Sequence, residues 1–90
     1  MALFLFKQTL ARRPRNNKAG QEVIWEKQLD DAIITAEAHG ASHFDILKTR
    51  FQFLSLTEAQ SFFDVERSEG FPGLSLDEVI ELKETFHLKG

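Results

Sequence analysis

The sequence predicts an α+β domain: a small sheet, built from a β-hairpin and one further strand, covered by one helix and a C-terminal helical hairpin. Three observations predict it. A run rich in Phe and Leu opens the chain, and near its middle Thr49, Phe51 and Phe53 alternate with Arg50 and Gln52, the two-residue period of a strand. A turn-forming segment, residues 11–20 (ARRPRNNKAG), follows the first run and precedes a second strand candidate. The last third carries two signatures of a helix start, each followed by apolar residues at helical spacing. On the same residues the alternative is an all-α bundle.

The elements follow in order. Residues 2–11 read as a first strand, buried on both faces near its start, or else as a short helix. Residues 11–20 form the loop: Pro14 lacks an N–H, Asn16 and Asn17 tolerate left-handed geometry, and Gly20 adopts it freely. Residues 22–28 give the second strand, with Val23 and Trp25 alternating with Glu22 and Glu26. A helix over residues 30–39 then places Asp30 and Asp31 at its positive N-terminus and Gly40 just past its end. Trp25, Leu29, Ala32, Ile33 and Ala36 also share one helical stripe, so a single long helix over 21–39 competes. The third strand covers residues 43–54, although Phe44, Leu47, Phe51 and Leu54 recur at helical spacing and Ser42 with Asp45 resembles a cap. Helices over 58–68 and 76–87 complete the fold. Thr57–x–x–Gln60 and Ser75–x–x–Glu78 have the form of capping boxes, in which the hydroxyl accepts from an early helix N–H and the longer side chain reaches back. The strings LSLTE (54–58) and LSLDE (74–78) recur at a spacing of twenty residues, read as reuse of a good helix start. Phe71, in the turn between the two helices, reads as a plug over the core.

Ninety residues make one small domain with one modest core. The nine phenylalanines and Trp25 supply its bulk, and the absence of Tyr marks the rings as core filler first. With no Cys, disulfides, thiolate nucleophiles and cysteine zinc sites are excluded, and a cytoplasmic setting is expected. The apolar stretch 2–6 is too short for a secretory signal and its charge follows rather than precedes it. No membrane span is expected. A three-stranded sheet would leave two open edges, so a homodimer is a further expectation.

The charge is split. Residues 1–20 hold five basic side chains and no acid; residues 21–90 hold six basic and fourteen acidic ones, so +5 and −8 give the net −3. A basic tip on an acidic body predicts a polarised partner-binding surface. Its candidate binding residues are Arg12, Arg13, Arg15 and Lys18. Residues 13–20, Arg-Pro-Arg-Asn-Asn-Lys-Ala-Gly, are similar to the tip of the DNA-binding arm in the HU/IHF family, Arg-Pro-Gly-Arg-Asn-Pro-Lys-Thr-Gly. The resemblance implies a basic hairpin tip that follows phosphates. This chain lacks the first Gly, has Asn17 where the family has its intercalating Pro, and lacks the two helices that precede the arm in that family. Neutralising four phosphates would give a salt slope of roughly −3.6, and the −8 body opposes it.

No catalytic set is legible, and neither a cofactor nor a metal is expected. His39 and His43 have the i, i+4 spacing of zinc ligands on a helix, but Gly40 stands between them and no third ligand follows. Asp77, Glu78, Glu81 and Glu84 read as a solvated face, and they make the last helix unfit to lie against phosphates. The sequence therefore predicts a non-enzymatic protein-interaction module, an adaptor, inhibitor or accessory factor of bacterial or phage type. A nucleic-acid-binding accessory protein using the 11–20 tip is the alternative.

Overall fold

A computed structural model describes residues 3–14 and 19–90. Among them the chain is all helical: α1 Phe4–Ala11, α2 Ala19–Ala38, α3 His43–Phe51, α4 Leu56–Ser68 and α5 Leu76–Phe86. The α+β expectation is overturned, and the all-α alternative holds.

Each expected strand fails for a physical reason. Over residues 3–11 the buried side chains are Phe6, Thr9 and Leu10, the i, i+3, i+4 spacing of one helix face. Phe4 is 61% exposed, so the opening run is not buried on two sides. Over 22–28 the alternation is broken, because Val23 is 65% exposed while Trp25 is 7% exposed. Trp25, Leu29, Ala32 and Ala36 are instead one buried stripe of a continuous α2, which absorbs both the second strand and the 30–39 helix. The expected β-hairpin 2–11/22–28 is thus a helical hairpin. The third strand is α3, where Ser42 and Asp45 form a full capping box: the Asp45 N–H donates to Ser42 Oγ (3.1 Å) and the Ser42 N–H to Asp45 Oδ2 (3.3 Å). That local chemistry outweighs the alternation of Thr49 and Phe51, both of which are buried on the helix as well.

Both C-terminal helices form, with one change of cap, but α4 and α5 meet in a shared core cluster rather than packing side by side as the expected hairpin. Ser75 caps α5 with Glu78, as its spacing predicts. Helix α4 is capped by Ser55 with Glu58, not by Thr57, and begins at Leu56. Ser55 and Ser75 occupy the same place in the two LSL-x-E strings, so both copies do the same job. Gly40 follows α2 at φ +96°, where the Ala41 N–H donates to the Ala36 carbonyl (3.0 Å). Helix α5 ends at His87, a left-handed residue (φ 57°) that turns the chain so that Leu88 enters the core. Gln60 holds the tail there by accepting from the Lys89 N–H (2.8 Å) and donating to the Lys89 carbonyl (2.9 Å).

Two apolar clusters share α3. Ile46 joins Phe6, Leu10, Trp25, Leu29 and Ala32, which close the α1–α2 hairpin. Leu47 and Phe51 join Ala59, Phe63, Leu82 and Leu88 beneath α4 and α5. Phe71 packs against the second cluster with its ring 5.2 Å from Phe63, so it is the plug that its turn position suggests. Lys48 with Glu81 (2.7 Å) and His43 with Glu66 (3.0 Å) link α3 to α5 and α4.

Candidate functional site

Helix α1 ends in the basic segment, and the structure separates its four candidate residues. Arg15 and Lys18 lie outside the described residues. Arg13, although still exposed, is folded back over the chain. Its Nη1 donates to Glu58 Oε2 on α4 (2.8 Å), Nη2 lies 3.9 Å from Glu22 on α2, and its guanidinium sits 5.4 Å from the Trp25 ring centroid. The hydrogen bond from Arg13, reinforced by the Ser55 N–H, holds the Glu58 carboxyl below the usual carboxylate range. Arg13 is therefore a strut between the α1–α2 hairpin and α4. Arg12 is exposed and makes no ion pair among the described residues. The two arginines, adjacent in sequence, are not equivalent in charge available to a partner.

Beside Arg13 lies a shallow cleft where the two halves of the molecule meet. It is lined by Leu10 and Arg13 from the end of α1, Glu22, Trp25 and Glu26 from α2, Arg50 from α3, Phe53 and Leu54 from the turn after α3, and Phe62 from α4. Its volume is about 60 Å³, room for about two waters. Phe53 and Phe62 are 43% and 37% exposed on its rim. The Arg50 guanidinium stacks 4.4 Å from the Phe62 ring centroid and makes no ion pair among the described residues. Burial lowers its pKa, while nearby Asp30 and Glu26 favour the charged form and Arg13 opposes it.

The sequence places Phe53 and Arg50 on opposite faces of an expected strand and assigns no binding role to Arg50, Phe53 or Phe62. No local signal marks the cleft, because its walls come from four separate segments. The other chemical candidates do not converge. The His39–His43 pair is split by the turn at Gly40 and Ala41, and His43 is engaged with Glu66. Among the described residues no group of three or more His, Asp or Glu side chains is placed to hold a metal ion. On α5, Glu78 serves its own cap and Glu81 pairs with Lys48. No helix among the described residues is long and apolar enough to cross a membrane.

By fold and site this is a small five-helix domain, within the described residues, carrying an arginine–aromatic cleft at the junction of its two cores. Comparison with known proteins finds no matching family model, no matching curated protein and no matching solved structure.

Proposed function

We propose that the chain is a non-enzymatic protein-interaction module that engages a partner protein over the arginine–aromatic cleft. The supporting observation is the convergence of Trp25, Arg50, Phe53 and Phe62 on one shallow, partly exposed surface. Aromatic and arginine side chains dominate the energetic centres of protein interfaces, where a half-desolvated guanidinium on a ring gains from a new acceptor. At about 60 Å³ the cleft is several-fold smaller than the roughly 300–1,000 Å³ of small-molecule sites. A docking surface suits its size better than a substrate pocket does. A cytoplasmic setting fits the cysteine-free sequence.

The nucleic-acid reading loses support from the same geometry. Arg13 is one of four cations on which it rests, and its charge is occupied by Glu58 and Glu22. A phosphate approaching the cleft would also meet Glu26.

The test compares partner capture from native cells by the wild type, Arg50→Ala, Phe53→Ala and, as a control on the far face of α2, Ile34→Ala. A partner retained by the wild type and Ile34→Ala but lost by the two cleft variants supports the reading. In parallel, labelled duplex and single-stranded DNA and RNA are titrated at low and high salt. Salt-sensitive binding that vanishes when Arg12, Arg13 and Arg15 are replaced by Ala would overturn it in favour of nucleic acid.

A further inference from the structure

We propose that the outer face of the α1–α2 hairpin is a self-complementary surface, covered in solution by the same face of a second copy of this chain. This inference is independent of the cleft.

A groove runs along the hairpin between Leu5 and Thr9 of α1, with Arg12 just past its end, and Gln28, Asp31, Ala32 and Thr35 of α2, with a volume of about 220 Å³. It continues past Arg12 and Gln28 into a second depression walled by Ile24, Gln21 and Pro14. Leu5 and Ile24 are exposed at its two ends. Arg12 and Asp31, both exposed, form no ion pair among the described residues. The helices are antiparallel, so Arg12 lies toward the loop end of the groove and Asp31 toward the other, with Gln28 between them.

That order of charges is what an isologous interface requires. A two-fold axis passing near Gln28 carries Arg12 onto Asp31 of the second copy, and Asp31 onto its Arg12. It lays the two grooves against one another, with the exposed Leu5 and Ile24 at their ends. Among the other exposed apolar side chains, Leu76 and Ile80 on α5 are bordered by Asp77 and Glu84, so two copies would repel there.

The test is sedimentation velocity from micromolar to millimolar concentration on the wild type, Arg12→Glu, Asp31→Lys and an equimolar mixture of the two variants. Circular dichroism confirms that each variant is folded, as exposed positions should allow. The wild type is expected to dimerise reversibly. Each variant places two like-charged pairs across the axis and should weaken self-association at least about tenfold. The mixture should recover it as a heterodimer. There the glutamate introduced in one variant meets the lysine introduced in the other, and the unaltered Arg12 and Asp31 meet at the second contact. Only a contact between chains can be rescued by mixing. A wild type that stays monomeric at millimolar concentration, variants that dimerise unchanged, or a mixture that fails to recover the dimer would each overturn the proposal.

Discussion

Replacing Trp25 by Phe tests how α1 is held to α2. The Trp25 side chain is buried in the first cluster, and its Nε1–H donates to the Thr9 carbonyl at 2.7 Å. The substitution keeps a ring in place but removes that hydrogen bond, worth about 1 kcal/mol net. The Thr9 carbonyl is not left unsatisfied, because it also accepts from the Arg12 N–H at 3.2 Å, so no further desolvation cost is added. The smaller ring gives up roughly 40 Å² of buried apolar area, about another 1 kcal/mol. The sum is about 2 kcal/mol, a large fraction of the roughly 5–13 kcal/mol expected for a domain of this length. The melting temperature should fall by roughly 8–16 °C. Urea unfolding followed by far-ultraviolet circular dichroism measures it, since Trp25 is the only tryptophan and its fluorescence is lost with it. A loss below about 0.5 kcal/mol, smaller than a typical net hydrogen bond, would refute the inference that the indole anchors the hairpin.

Three other outcomes follow from the local chemistry. Ser55→Ala and Ser75→Ala should each cost about 1 kcal/mol in urea unfolding, whereas Thr57→Ala should stay within about 0.5 kcal/mol, because Thr57 is an exposed residue of the first turn and not the cap. The Glu58 carboxyl should titrate below the usual range by NMR and return toward it in Arg13→Gln. Its folded value is depressed, so its stabilising contribution is present above the ordinary carboxylate pKa and is lost as pH falls through the folded value. Glu58→Gln should therefore flatten the acid limb of stability against pH. Gln60→Ala removes both hydrogen bonds to the Lys89 backbone and should sharply reduce the hydrogen-exchange protection of the Lys89 amide, while the amides within α3 keep theirs.

What could be read in advance divides by the range of the interaction. The α5 start was legible because Ser75 and Glu78 bond within one turn. The α4 start was legible in kind but misplaced by two residues, since Thr57 and Ser55 both precede a suitable partner and only Ser55 with Glu58 closes the ring. The first helix was obscured by its own composition: Phe4, Leu5 and Phe6 are all apolar, so neither period stands out until packing selects Phe6. In α2 the buried stripe is thinned to Ala32 and Ala36 where it continues past Leu29, and exposed Val23 two residues before buried Trp25 imitates a strand. The role of Arg13 was illegible because it depends on Glu58, forty-five residues away. The cleft is a consequence of the whole fold, with Trp25, Arg50 and Phe62 brought together by the packing of α2, α3 and α4.

If a partner protein docks at the arginine–aromatic cleft, as proposed, Phe53 on its rim lies within the partner's reach. The most direct measurement places a photo-crosslinkable phenylalanine analogue at Phe53 in native cells, with the same analogue at Ile34 as a control. Both positions are exposed, so neither substitution disturbs the core. A discrete protein adduct is expected from position 53, absent from position 34 and lost when Arg50→Ala is added. Equal labelling at both positions, or no protein adduct at 53, would contradict it.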